Sequence, residues 1–516
     1  MLGPIKAETI VKDTFRIAVL ALVAGGAAGP AWAADDLAKT AGEAADISLG
    51  LDPATPQTAA LPGGLTPAFG QASMNEGEWR FDFHGFFTGP LNIGFNTRQD
   101  PRPGQSSTVL HTPPVVPDDL ETFSHTGVVP MTYAQINFSE GNSIITAHIN
   151  LLARQANTST SFLEPASQLG INDVFVAITP QWSPRLRTDI FVGAFTSRYG
   201  ATGEYDEGRY GTPLIARING AGERISVKLS LGNFLFMAEQ GIHGQTNTAS
   251  ASTTPDVWND FADPNAGSTF VSHGHLGVGY RRMATLGLHY IRAWSQDDRG
   301  VGGLAPEGSL DIYAADLRLS LGRFGHLYLA GAYDDAKYVG TLSRIISVLN
   351  TRGGQGLIDN YLGGQGNGTM LTVGGQYDLS VGRLVSYPVP FSGDGPDLFV
   401  SLFAMINKTD SEYSYMSRTR TKFGIEGTYS LLSWLAVSCR YDQVNPDTDY
   451  RSYSFAVLSP RIILRTDWLA TNQIVLQYSH WFDGYLTTVR VGDPPVEDVS
   501  VRPDTDMVSL SASMWW

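Results

Sequence analysis

Between Arg418 and Arg465 the chain carries charged residues in rows of even spacing. Arg418, Arg420, Lys422 and Glu426 form one row, Arg440 and Asp442 the next, and Arg461 and Arg465 a third. In an extended chain successive side chains point to opposite faces, so even spacing puts each row on a single face. The residues between them are largely apolar or aromatic, among them Phe423, Ile425 and Tyr429. The same pattern recurs where Asp316 and Arg318 alternate with Leu317 and Leu319. It recurs again where Arg224 and Lys228 alternate with Ile225, Val227 and Leu229. Rows of mixed charge on one face of a sheet can do two things. They can lock into an ion-pair lattice that stiffens a wall, or set up a field that attracts and orients small ions and dipoles. The two roles are compatible, and residue types alone favour neither.

Other reactive residue types are sparser. His273 and His275 share a face, and His289 joins them if their strands pair, an arrangement that could hold a divalent metal. Aromatic polar residues also line sheets without binding anything, and the expectation is no metal site. Asp447-Thr448-Asp449 and Asp334-Asp335 fall short of a calcium-loop pattern and read as solvated acidic loops. The chain has no phosphate-binding loop, no His-Glu-x-x-His motif and no Gly-x-Ser-x-Gly elbow, so no enzyme and no cofactor are expected. The net charge of −15, with no Lys/Arg-rich run, excludes a nucleic-acid binder.

The elements that must position these rows are strands. Trp79, Phe81, Phe83, Gly85 and Phe87 alternate with Arg80, Asp82 and His84, a period-2 pattern that begins the series. From there the chain repeats strand, short turn, strand, long polar loop. Pairs of candidate strands flank tight connections such as Glu140-Gly141-Asn142, Leu231-Gly232-Asn233, Arg281 to Ala284 and Gly322-Arg323-Phe324-Gly325. Counting through to Thr505–Trp516 gives eighteen strands, with sixteen or twenty if one hairpin is miscounted. Charged residues are only 16% of the chain, below the roughly 25% of average soluble domains, while glycine and aromatics are plentiful. Aromatics also gather near turns: Tyr280, Tyr290, Tyr377, Tyr429 and Tyr478, with Trp434 and Trp468. That composition suits a sheet whose outer face meets lipid.

Two loops could bear on what the sheet encloses. Ser197 to Gly222 contains Glu204, Asp206, Glu207 and Arg209 and is a candidate constriction loop, its carboxylates opposing the basic rows. Asp334 to Gly368 contains Val339 to Asn350, whose apolar spacing predicts a short amphipathic helix, placed either in the mouth of the sheet or on its rim.

At the N-terminus, Lys6, Lys12 and Arg16 precede an apolar run from Ile17 to about Gly29, and Ala31-Trp32-Ala33 offers a small-x-small cleavage site. Residues 1–33 read as an export signal, 34–78 as a flexible periplasmic segment, and 79–516 as the folded body. The single cysteine, Cys439, allows no internal disulfide.

The last residues, Asp504 to Trp516, sharpen the reading. Val508, Leu510, Ala512, Met514 and Trp516 occupy alternate positions, with Ser509, Ser511 and Ser513 between them, and the chain ends Trp-Trp. This resembles the C-terminal strand signature of bacterial outer-membrane β-barrel proteins. The resemblance implies an all-β, transmembrane, antiparallel up-and-down barrel of about eighteen strands, with short periplasmic turns and long extracellular loops. It also implies outer-membrane lipid and the barrel-insertion machinery as partners, the latter through the terminal strand. The expected function is a porin-like channel for passive diffusion of small polar or anionic solutes, with a homotrimer as a compatible assembly. The alternatives are a transporter for hydrophobic compounds, which should show an apolar interior, and a structural or adhesive barrel.

Overall fold

Alternation of apolar and polar residues is stable in a single sheet only if each face finds its own medium. A closed ring also satisfies every backbone N–H and C=O without a free edge. The structure, a computed structural model, describes residues 79–95, 131–142, 144–156, 166–199, 216–246, 268–281, 283–295, 308–338, 346–348, 367–385, 396–412, 417–432, 434–449, 454–465, 473–482, 486–487, 500–501 and 505–515. Within them, eighteen long strands form one antiparallel wall.

In chain order these are β1 (Arg80–Phe95), β2 (Met131–Gly141), β3 (Ile145–Ala156), β4 (Ala166–Ile178), β5 (Leu186–Tyr199) and β6 (Ala216–Leu231). Next come β7 (Phe234–Thr246), β8 (Ser268–Tyr280), β9 (Ala284–Ser295), β10 (Ser309–Ser320), β11 (His326–Lys337) and β12 (Gly368–Ser380). The wall ends with β13 (Asp397–Ser411), β14 (Arg418–Leu432), β15 (Leu435–Asn445), β16 (Phe455–Arg465), β17 (Gln473–Phe482) and β18 (Thr505–Trp515). Each pairs with its sequence neighbours. The ring closes where β1 pairs with β18, from Phe86 opposite Trp515 to Phe95 opposite Asp506.

Local chemistry explains the short-turn rim. Leu231-Gly232-Asn233-Phe234 reverses the chain in two residues, with Gly232 at φ +61°, a conformation that favours glycine. Between β10 and β11 a single 3-10 turn, Gly322–Phe324, is bracketed by Gly322 and Gly325, both at positive φ. The Tyr377 hydroxyl donates to the Phe324 carbonyl and ties this turn to β12.

The outer face is apolar along its height. Ile225, Leu288, Leu329, Val373, Ile406, Ile425, Ile462, Leu476 and Leu510 are all exposed there. Toward the short turns the exposed residues include Trp182, Phe234, Phe324, Tyr429 and Trp434, and toward the other rim Phe95, Tyr333 and Phe482. No soluble sheet leaves such a face uncovered, whereas a lipid-facing barrel requires it, with aromatic side chains at both interfaces. No described helix is long and apolar enough to cross a membrane; the strands do so.

Two loop expectations change. The two ends of Ser197 to Gly222 are wall, since β5 runs to Tyr199 and β6 starts at Ala216, and residues 200–215 lie outside the described residues. In the stretch read as an amphipathic helix, Ile346–Val348 is instead a short strand, antiparallel to Ala216–Ile218 of β6. Ile346–Val348, from the segment between β11 and β12, therefore lies on the long-loop end of β6, five strands along the wall from β11. The rest of that stretch lies outside the described residues.

Candidate functional site: the inner face of the barrel

Because the wall alternates, one parity of each strand faces inward. On β14, Arg420, Lys422, Glu426, Thr428 and Ser430 are inward and buried, between exposed Phe423, Ile425 and Tyr429. Arg418 sits on the same face at the strand's start and is half-buried. Register brings the next strands into line, with Glu426 opposite Arg440 and Ser438 opposite Arg461. Arg440 grips Asp442 bidentately, Nε to Oδ2 and Nη2 to Oδ1 both at 2.7 Å. Glu426 accepts from Arg461 Nη1 at 3.2 Å and Ser438 Oγ at 2.9 Å, and lies 3.9 Å from Arg440 Nη1. Arg461 Nε also donates to Gln477 Oε1 at 2.5 Å. Arg465 is inward and buried, two pleat repeats below Arg461, with Ile463 between them. Arg440 and Asp442 are 0% exposed, so this pair is desolvated and held by geometry, unlike a surface ion pair.

Phe403 on β13 is the centre of the packing beside this lattice. The Arg440 guanidinium lies 4.5 Å from its ring centroid and Lys422 Nζ 6.0 Å away. Its ring occupies the space where a Cβ on Gly424 would stand, which is why a residue without a side chain faces it.

A second array crosses β5 to β10. Asp189 takes Arg187 Nε at 2.6 Å and Lys228 Nζ at 2.8 Å. Glu239 lies 3.7 Å from Arg224 Nε and 3.4 Å from His273 Nε2. Arg224 also rests on Phe191, 4.3 Å from its centroid. His275 and His289 stack with centroids 4.3 Å apart, and His289 Nε2 contacts Asp316 Oδ1. Arg318, two residues on, lies 5.5 Å from the ring centre of Tyr328. The three histidines thus share one inner face with His243, but engage carboxylates or one another. Among the described residues no group of three or more His, Cys, Asp or Glu is arranged to hold a metal.

Toward the long-loop end the inner face changes character. Val271, Ile291, Leu310, Ile312, Met370, Val444, Phe455, Val457, Trp481 and Met507 are buried inside the wall as part of one apolar cluster drawn from strands around most of the ring. The apolar collar these residues form is interrupted by charge, since Lys422 stands opposite Met405 and Val444, and Asp442 opposite Val457. Residues missed by taking only polar positions as inward are these apolar ones. Asp189, Glu239 and Asp378 were legible by alternation, for example in Arg187-Thr188-Asp189.

Of the remaining candidates, Glu204, Asp206, Glu207 and Arg209 lie outside the described residues. Val508, Leu510, Ala512 and Met514 share the outward parity of β18, with Leu510 and Met514 exposed; Trp516 lies outside the described residues. A closed antiparallel ring with an apolar outer belt, two aromatic rims and a charged interior decides the class. The chain is a closed, eighteen-stranded antiparallel β-barrel with a lipid-facing outer belt.

No protein-family model and no curated protein matches the chain. Solved structures similar to it include OccD3 of Pseudomonas aeruginosa, at 8% identity and a TM-score of 0.39, covering 90% of this chain and 99% of that one. OccAB3 of Acinetobacter baumannii gives 9% and 0.40, covering 84% and 99%. An anion-selective porin from Comamonas acidovorans gives 9% and 0.38, covering 85% and 100%. Scores of this size carry no inference about solute or mechanism.

Proposed function

We propose that this barrel is a passive channel that admits small polar solutes across the outer membrane. The observation that carries the reading is the sidedness of the wall. Its charged and hydrogen-bonding residues are gathered on the inner face, as in Glu426, Arg440, Asp442 and Arg461, while the outer face is left to lipid. Barrels of about 16–18 strands are wide enough to leave an aqueous path between such walls. The arrangement can orient dipolar solutes in a transverse field without any covalent step. Arg187, Lys228, Arg224, Arg440 and Arg461 are held by carboxylates and act as a scaffold.

Purified protein in liposomes loaded with osmolyte tests this. Swelling is expected with small neutral sugars and with both chloride and potassium salts, at rates that fall with solute size. Liposomes that swell no faster than protein-free controls for every solute would overturn the reading.

A second reading, transport of apolar compounds, is favoured by one observation, the collar of Ile291, Ile312, Met370, Phe455 and Trp481. It predicts uptake of aromatic hydrocarbons that exceeds that of sugars of equal size in the same vesicles.

A further inference from the structure

A cavity of about 610 Å³ opens at the long-loop end of β15, β16 and β17. Gln443, Ala456 and Phe482 form one rung of its lining, Gln443 opposite Ala456 and Ala456 opposite Phe482. Asn445, Thr448 and Ser454 line it beyond that rung, toward the loop. The alternation that turns Val444, Phe455 and Trp481 inward turns this rung outward, in line with exposed Phe423, which stands opposite Gln443 on β14. The cavity is therefore a notch in the lipid-facing side of the wall. It lies at the aromatic rim that Phe482 shares with Phe95 and Tyr333, the level at which lipid headgroups begin.

Its chemistry is mixed but uncharged. Phe482 is 45% exposed and offers an aromatic surface, with the His480 ring packed perpendicular to it, centroids 4.4 Å apart. Ala456 keeps the floor low. The two amides beside it are held in place: Gln443 Nε2 donates to the Phe455 carbonyl at 3.3 Å, the Tyr441 hydroxyl donates to Gln443 Oε1 at 3.0 Å, and Asn445 Nδ2 donates to Thr421 Oγ1 at 2.8 Å. Each amide nitrogen carries a second N–H beyond the bond that fixes it, and Thr448 and Ser454 add hydroxyls. No charged side chain is among the described residues of the lining. The ionisable pair one rung away, His480 with Asp506, is closed on itself at 2.7 Å, and Tyr478 also donates to Asp506.

A phosphate or carboxylate would find no cation in this notch, and an alkyl chain would cover the amides without pairing them. A sugar suits both halves, its C–H face against Phe482 and its hydroxyls toward the amides. The notch faces away from the lumen, so a solute crossing the barrel does not meet it, whereas a lipid does. We propose that it binds the uncharged sugar headgroup of a glycolipid in the leaflet on the long-loop side. The inference concerns the outer face and stands apart from the channel reading.

The test uses the full protein purified in lauryldimethylamine oxide, a detergent without a sugar. Digalactosyl diacylglycerol, phosphatidylglycerol and headless diacylglycerol with the same chains are titrated in, and bound lipid is read by native mass spectrometry. The digalactosyl lipid should bind about tenfold tighter than either of the others. The double change Gln443→Ala, Asn445→Ala should abolish that preference. Ala456→Trp, which fills the notch and leaves both amides, should abolish it too, while Tyr333→Leu on β11 should leave it intact. Heat-modifiable mobility in detergent gels checks that each variant is folded. No preference for the digalactosyl lipid, or a preference that survives either notch variant, would overturn the site. Free digalactose bound as tightly as the digalactosyl lipid would overturn the assignment to a lipid.

Discussion

Arg440 illustrates how much of the inner wall depends on single residues. Its guanidinium is buried between Asp442, Glu426 and the face of Phe403. Replacing it with alanine leaves Asp442 without its bidentate partner, and removing one partner of a buried pair typically costs about 3–5 kcal/mol. Arg440→Ala should therefore lower the temperature at which the barrel loses its compact gel mobility. The double variant Arg440→Met, Asp442→Leu should recover much of that loss, because an apolar pair leaves no orphaned charge. Equal destabilisation by the single and the double changes would count against the pair. Gly424→Ala makes a related prediction: the new methyl would collide with the Phe403 ring and with the Tyr441 carbonyl oxygen, so the second change Phe403→Leu should recover only part of the loss. The charged rows were readable in the sequence because charge at alternate positions has only one meaning in a strand. Their pairing partners were not, since the register that sets Glu426 opposite Arg440 depends on strand contacts a linear pattern does not record.

At the scale of elements, strand alternation was the legible feature. β14, β15 and β16 follow it closely, apolar outward and polar inward. It failed in two places for different reasons. The start of β6, Ala216-Arg217-Ile218-Asn219-Gly220-Ala221-Gly222, is glycine-rich and polar, so its strand character comes from pairing with β5 and not from its own composition. The inner collar was hidden because the sidedness reverses at the upper end of β10, where Leu310 and Ile312 face inward and Ser309 and Asp311 outward, so taking the polar set as inward picks the wrong face. In Val339 to Asn350 a short apolar run fits either period, and the ladder to β6 selected the strand.

Two predictions belong to these elements. On β18, Leu510 faces lipid and Ser511 faces inward, so Leu510→Arg should destabilise the barrel by about 2–4 kcal/mol while Ser511→Arg is tolerated far better. Unfolding titrations in detergent read the difference, and a larger effect at Ser511 would invert the assigned faces. On the bridging strand, Ser347 stands opposite Arg217. Cysteines at both positions, with Cys439→Ser to remove the native thiol, should join under mild oxidation. If they stay reduced while a β17–β18 control pair such as Val475 with Ser511 crosslinks, that ladder is not formed.

The whole molecule follows from one constraint, that no backbone polar group can be left unpaired in hydrocarbon. Eighteen strands, closed by β1 on β18, satisfy it and give the chain two media: lipid outside, and inside a lining of charged and apolar residues. The terminal alternation of Val508, Leu510, Ala512 and Met514 marks one side of that closing seam, and Phe87, Leu91 and Ile93 of β1 continue it on the other. From this sidedness comes the central functional claim, that the ring encloses a path for solutes. Planar-bilayer recording of the purified, heat-modifiable protein tests it most directly. The account predicts discrete, stepwise conductance in potassium chloride with weak selectivity between the two ions. Membranes that contain inserted barrel and stay silent at every applied voltage would contradict it.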